Sequence, residues 1–278
     1  MTEDLAQKKD YVVTIKTSMG DMVAILYDET PKHKENFIKL AKEHYFDGVL
    51  FHRVISGFMI QGGDPDSKNA KPGQRLGSGG PGYTVEAEFR PQLFHEKGAL
   101  SAARLGDQGN PTKASSGSQF YIVQGTVLPQ QQLDDMKIDQ AKMNETFGPW
   151  LQKPENKAVY DSLSDLYRSR DMQGYQSKIM SLIPRVEKET GVKLTKDISP
   201  EKIKAYTTVG GTPFLDGEYT VFGKVIKGLD VIDKIAAVQK DGSDRPVEDV
   251  RMTVTVEEMS RKHITKEYGY VYPEVVKK

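Results

Sequence analysis

Two short strings constrain this 278-residue chain more than anything else in it. FHRVISGFMIQGGDP runs from Phe51 to Pro65, and SSGSQFYIV from Ser115 to Val123. Both are rich in the aromatic and β-branched residues that suit a pleated, half-buried surface, so both read as strand-bearing. Each also carries polar side chains for which a core strand has no use: Arg53 and Gln61 in the first, Gln119 in the second. By the two-residue period of a strand, Phe51, Arg53 and Ile55 share one face. Gln119 and Tyr121 share another, with Phe120 and Ile122 turned inward. An arginine therefore falls where a buried residue is expected. His52, on the face opposite Arg53, reads as structural, and His95 falls in a loop and gains no role.

The rest of the chain supplies the elements around these strings. YVVTIKTSMGDMVAILY (11–27) reads as a hairpin turning at Ser18–Asp21. Thr30 then Pro31 reads as an N-cap and first helical residue, and Phe37, Leu40, Ala41 and His44 recur at helical spacing behind it. FHRVI and FMIQG are the next strands. Residues 62–82 form a long loop dense in Gly, Pro, Ser and Asn, of a kind that compact domains tolerate mainly for function. Strands are expected again at YTVEAEF (83–89), ALSAAR (99–104), QFYIVQG (119–125), TVFGKVI (220–226) and RMTVTVEEM (251–259), with a helix over 229–238. Residues 126–206 break this pattern. Leu133, Met136, Met143 and Phe147 are spaced as one helical face, as are Val159, Leu163 and Leu166, then Tyr175, Ile179, Leu182 and Val186. Ser199-Pro200-Glu201 is a further helix start. A helical insertion in a surface loop fits, since closure entropy grows slowly with loop length.

Composition narrows the function classes. Lysine plus arginine and aspartate plus glutamate number 39 each, which argues against partners such as nucleic acid held by bulk charge. Absence of cysteine removes disulfides, thiol nucleophiles and thiolate metal sites. The five histidines show no i, i+4 pair, so no zinc helix and no metal site is expected. No apolar stretch is long enough for a membrane span, and MTEDLAQKKD lacks the apolar core of an export signal. The expected location is cytoplasmic, or periplasmic if an export signal has been removed.

The two strings, with FLDGEYTVFGKV at 214–225, resemble the cyclophilin family of peptidyl-prolyl cis-trans isomerases, in its bacterial branch. The pattern FHRxxxxFMxQGGD carries the likeness most specifically. The resemblance covers about 11–125 and 207–260 and skips the helical segment. It implies a mostly β fold, a closed eight-stranded antiparallel barrel capped by two helices. The implied organisation is a tail at 1–10, barrel at 11–125, helical insertion at 126–206, barrel again at 207–260, and a tail at 261–278. The implied activity is rotation of X–Pro bonds in unfolded or extended segments, assisting folding, with no cofactor. Arg53 is implied as the catalytic contact to the prolyl amide and Gln61 as its support, a neutral partner that orients the guanidinium without quenching it. Phe58, Met59, Tyr121 and Leu215 are implied as walls of a proline pocket, and Gln119, Phe214 and Tyr219 as further substrate contacts. Ala103 and Arg104 match a segment whose unpaired backbone runs beside the peptide.

Eukaryotic-type members usually have a tryptophan where this chain has Phe214 and a histidine where it has Tyr219, and these two look like the bacterial branch; Arg104 stands where asparagine is usual and Tyr121 where phenylalanine is usual. Tyr121 puts a hydroxyl at the pocket base that needs a partner if buried. Two other functions compete. One is a scaffold or chaperone that binds proline peptides and docks a partner protein through 126–206, which enters the chain between Gln119–Tyr121 and Phe214–Leu215. The other is a barrel holding an apolar ligand, against which the large inward side chains argue.

Overall fold

The computed structural model describes residues 8–273. Residues 1–7 and 274–278, parts of the two expected tails, lie outside the described residues. The chain divides into two compact units, one comprising residues up to Val127 together with those from Lys204 onward, the other Leu128–Ile203.

Among the described residues ten strands lie in the first unit: β1 (Lys9–Thr17), β2 (Gly20–Leu26), β3 (Phe51–Ile55), β4 (Met59–Gly62), β5 (Thr84–Val85), β6 (Ala99–Ala102), β7 (Ser115–Ser116), β8 (Phe120–Val123), β9 (Val221–Lys227) and β10 (Met252–Ser260). Eight of them form one sheet in the order β10-β1-β2-β9-β6-β8-β4-β3, while β5 and β7 pair separately. All ladders are antiparallel, and the register shifts between Val23 and Ala24, between Phe51 and Arg53, and between Leu100 and Ser101. Such bulges add twist and bend, which curls the sheet. The sheet is open, not the closed barrel expected. Among the described residues no ladder joins its edges β3 and β10; they meet at the isolated bridge Leu50–Arg251, beside the bond from the Phe51 N–H to the Val250 carbonyl at 2.9 Å.

The α-helices are α1 (Pro31–Lys42), α2 (Gln130–Met136), α3 (Gln140–Leu151), α4 (Lys157–Arg168), α5 (Met172–Thr190), α6 (Pro200–Thr208), α7 (Leu229–Ala236) and α8 (Arg261–Tyr268). Two of them cover the concave apolar face: Phe37, Leu40 and Ala41 of α1, and Val231, Ile232 and Ile235 of α7, join Val13, Val54, Ile60, Phe120, Ile122 and Phe222 in one buried core. Phe37 stacks on Phe46 at 4.9 Å and meets Phe120 edge-on at 5.4 Å, geometries that aromatic rings prefer. His44 does not extend the α1 face. It lies past the helix end with φ +56° and an exposed side chain beside Asp47.

The start of α1 departs from expectation in a revealing way. Thr30 occupies the N-cap position but makes no side-chain cap. The capping carboxylate comes from Glu88, which accepts from the Lys32 N–H at 3.3 Å and the His33 N–H at 3.0 Å. Its Oε2 also lies 2.7 Å from His33 Nδ1, and His33 Nε2 is 2.9 Å from Ser115 Oγ. Glu88 is buried, so a negative charge stands where the helix dipole favours it and water does not compete. This is why the expected strand 83–89 is reduced to Thr84–Val85: the chain leaves the ladder to carry Glu88 under α1. Burial lowers the His33 pKa against the pull of Glu88.

The unit 128–203 has its own core of Met143, Phe147, Trp150, Leu163, Leu182, Ile183, Val186 and Leu194, with Val159, Tyr175 and Ile179 against it. The face expected to run from Leu133 to Phe147 is split. Asp139 caps α3 by accepting from the Lys142 N–H at 3.3 Å, and Met136 is exposed. The stretch expected as a C-terminal tail begins with α8, whose Ile264 is buried with Val12, Val23 and Ile25. Arg261 pairs with Asp10 and Asp28, and Lys34 with the same two carboxylates.

Glu88→Ala removes the acceptor seen for two helix N–H groups and one of the two partners of a buried imidazole. The expected loss is about 2–4 kcal/mol, read from the denaturant midpoint. A midpoint unchanged from wild type would show that Thr30 or water caps α1 instead.

Candidate active site

The bulge between Phe51 and Arg53 sets the site. Phe51 pairs with Gly62 and Arg53 with Gln61, so β3 advances two residues while β4 advances one. Phe51 and Val54 both reach the core, and Phe51 does not share a face with Arg53 as strict alternation predicts. Bulges re-aim side chains in this way. Arg53 and His52 both line a cavity of about 640 Å³.

Neighbouring strands then bring a polar row to that cavity. Arg53 pairs with Gln61 across β3–β4, and Gln61 with Tyr121 across β4–β8. The Arg53 guanidinium donates to Gln61 Oε1 over a long 3.4 Å. The Gln61 amide donates to Gln119 Oε1 at 3.3 Å, and Gln119 donates to the Gly79 carbonyl at 2.8 Å. The guanidinium is thus oriented by a chain of neutral amides that ends on backbone. Gly63 permits the close approach of β4 to this chain: its φ is +92°, and a Cβ there would lie 2.1 Å from the Ser118 carbonyl oxygen.

The apolar part of the cavity is a cluster of buried Met59, Tyr121 and Leu215 with Phe58, Ala103 and Tyr219 packed against it. Arg104 also lines the cavity, but its side chain is committed. It donates to the Glu218 carbonyl at 2.8 Å and to Asp107 at 2.6 Å, and lies 4.5 Å over the Tyr219 ring. Lys113 completes this tie by pairing with Glu218. The Ala103 backbone is not unpaired as expected: its N–H donates to the Gln119 carbonyl at 3.0 Å, and its own carbonyl accepts from Ser116 at 2.8 Å. Among the described residues the Arg104 backbone makes no hydrogen bond. Two expected contacts do not line the cavity. Gln119 is buried behind Gln61, and Phe214 is 65% exposed with its ring 5.6 Å from that of Phe58.

Several residues of the site escaped the sequence. His52, assigned a structural place because alternation turns it away, lines the cavity because of the bulge. It is buried, and neither ring nitrogen has a hydrogen-bond partner among the described residues. Burial, opposed by Asp64 and assisted by Arg53 and Arg245, pushes its pKa down to about 4. The Gly-rich loop contributes Gly73–Gly77 to the cavity rim and is anchored by Asp64, which accepts from the Gly77 N–H at 2.5 Å. Asp241, Ser243 and Arg245 form another wall, with Arg245 bonded to the Lys71 carbonyl at 2.9 Å. Only the glycine density of 62–82 pointed to this part of the site. Among the described residues no group of three or more His, Cys, Asp or Glu is placed to hold a metal, and no helix is long and apolar enough to cross a membrane.

Residues 12–149 and 199–257 match the sequence model of the family described as cyclophilin type peptidyl-prolyl cis-trans isomerase/CLD. The chain is 34% identical over 255 residues to the "Putative bifunctional phosphatase/peptidyl-prolyl cis-trans isomerase" of Streptococcus pyogenes, a match covering 89% of this chain and 38% of that relative. It is 33% identical over 257 residues to the "Putative peptidyl-prolyl cis-trans isomerase" of Staphylococcus epidermidis, covering 91% and 94% of the two chains. Among solved structures, the fold is similar to that of a cyclophilin type peptidyl-prolyl cis-trans isomerase of Cryptosporidium parvum, with a TM-score of 0.50, 20% identity, and coverage of 90% of this chain and 98% of that one. The chain belongs to the cyclophilin-type peptidyl-prolyl cis-trans isomerase family. Its activity is that of the family, cis–trans isomerisation of the X–Pro peptide bond.

His52 gives the site a pH signature. Its pKa is about 4 in the folded chain against an ordinary 6.5, so the unfolded chain binds more protons between those values. Stability from this group is present above pH 6.5 and is lost as pH falls toward 4, by up to about 3 kcal/mol. Subtracting the denaturation free energies of His52→Gln from those of wild type across this window should isolate that slope. A flat difference would mean that the imidazole is solvated.

Proposed function

We propose that Arg53 is the catalytic residue and that the cavity holds the proline of an extended or unfolded polypeptide segment. The observation that carries this reading is the Arg53 guanidinium, which lines the cavity and whose partner is the neutral Gln61 amide. Rotation about a peptide bond faces a barrier of about 18–20 kcal/mol because resonance gives the C–N bond double-bond character. As the bond twists, the nitrogen loses conjugation and regains a lone pair. A pre-oriented N–H donor aimed at that nitrogen stabilises the twisted state more than either planar one, which is what lowers a barrier. A carboxylate partner would spend the charge of Arg53 before substrate arrived. An amide holds the guanidinium in place and leaves the charge available.

Met59, Phe58, Tyr121 and Leu215 suit the proline ring, since they form one apolar cluster at the cavity. Met59 adds the adaptability of an unbranched thioether, useful where flanking residues vary. The Arg104 backbone is disposed to pair with an extended peptide, the mode in which main-chain bonds supply affinity and pockets supply specificity. Every residue lining the cavity belongs to the unit outside 128–203.

Arg53→Ala should lower kcat/KM on a proline tetrapeptide at least about tenfold, the effect of losing roughly 1.4 kcal/mol of transition-state stabilisation. Far-UV circular dichroism should be unchanged, because the side chain is half-buried and outside the core. Full activity in a well-folded variant would remove Arg53 from the mechanism.

A further inference from the structure

Tyr121 presents a conflict. A pocket that accepts an apolar ring has a phenol in its floor, and a hydroxyl facing that pocket would stand unpaired whenever proline was bound. The structure resolves the conflict with three residues that do not line the cavity. The Tyr121 hydroxyl is 2.9 Å from Nε2 of His95, and the two rings lie nearly parallel with centroids 6.0 Å apart. His95 is fully buried. Its Nδ1 is 3.0 Å from Asp216 Oδ1, which also accepts from the His95 backbone N–H at 2.9 Å. Asp216 Oδ2 accepts from the Tyr206 hydroxyl at 2.8 Å.

An ionised Asp216 carboxylate only accepts, so Nδ1 of His95 faces it as a donor. With the buried ring neutral, Nε2 is an acceptor and the Tyr121 O–H donates to it. The hydroxyl is therefore consumed beneath the cavity, and the ring is what substrate meets. Asp216 holds a second element at the same time. It follows directly on the short 3₁₀ turn Pro213–Leu215, so its anchoring by His95 and Tyr206 also seats Leu215, another residue lining the cavity. The His95 carbonyl accepts from the Thr212 N–H at 2.9 Å, which fixes the start of that turn.

We propose that His95 and Asp216, backed by Tyr206, are positioning residues for the proline pocket: they hold the Tyr121 hydroxyl away from the cavity, so that its floor is apolar and selects unsubstituted proline over ring-hydroxylated proline. This rests on the reading of the cavity as the proline site. The same unit of polar groups explains how a tyrosine can stand where the family usually has phenylalanine without making the pocket polar.

The test compares kcat/KM on a tetrapeptide containing proline and on the same peptide containing 4-hydroxyproline. Wild type should prefer proline. In His95→Phe the Tyr121 hydroxyl loses its acceptor and can bond the substrate hydroxyl, so the preference should shrink at least about threefold, the scale of one modest hydrogen bond. The double variant His95→Phe/Tyr121→Phe, with no orphaned hydroxyl, should restore it. In Tyr121→Phe alone the ratio should stay at the wild-type value. Equal losses on both peptides in His95→Phe, as expected of a merely structural residue, would overturn the proposal. So would a ratio shifted by Tyr121→Phe, a comparison that decides alone if His95→Phe does not fold. A wild type inactive on both peptides would overturn the reading of the cavity, and the proposal with it.

Discussion

The register shift between Phe51 and Arg53 is the constraint on which the site depends. Without it, strict alternation would send Phe51 and Arg53 to one face, and either the core would receive a guanidinium or the cavity would lose it. With one extra residue on β3, Phe51 and Val54 both fill the apolar core while Arg53 and His52 reach the cavity. The penalty for burying an unpaired charge is large enough to forbid the alternative. The glycine pair after Gln61 belongs to the same device, because the close packing of Gly63 on Ser118 brings Gln119 behind Gln61.

Behind the cavity, buried polar groups are satisfied through long-range partners rather than local ones. Glu88 caps a helix more than fifty positions away, and Asp216 joins His95, Tyr206 and, through His95, Tyr121. In a low-dielectric interior such networks are worth most when every member is paired. Among the described residues some buried polar atoms lack a partner, Ser101 Oγ and Thr212 Oγ1 among them, and at the cavity both nitrogens of His52 do. Unpaired buried polar atoms in a folded protein call for an explanation, and the proposed role of this cavity in binding a peptide supplies one for His52.

Much of this was legible in the sequence because it is written in local patterns. The hairpin, the two covering helices and the inward face of β8 follow from two-residue and 3.6-residue periods, and the polar interruptions Arg53, Gln61 and Gln119 stand out against them. What was not legible depends on contacts distant in sequence. Nothing near Thr30 says that Glu88 will take its place, nothing near His95 says that Asp216 and Tyr121 will meet on it, and the helix α8 is held by Asp10 and Asp28 from the other end of the chain. The meeting of the open sheet's edges likewise rests on the bridge between Leu50 and Arg251 and the backbone bonds beside it, which strand patterns do not encode.

The central claim is that a neutral partner leaves the Arg53 charge available for the twisting amide. Gln61→Glu tests it most directly, since it keeps the size of the side chain and an acceptor for the guanidinium while adding a full negative charge. The account predicts that kcat/KM on a proline tetrapeptide falls about tenfold in a protein that stays folded, the new ion pair with Arg53 being offset by loss of the donor to Gln119 Oε1. Activity equal to that of wild type in a folded Gln61→Glu protein would contradict it, and would show that the charge of Arg53 is not what lowers the barrier.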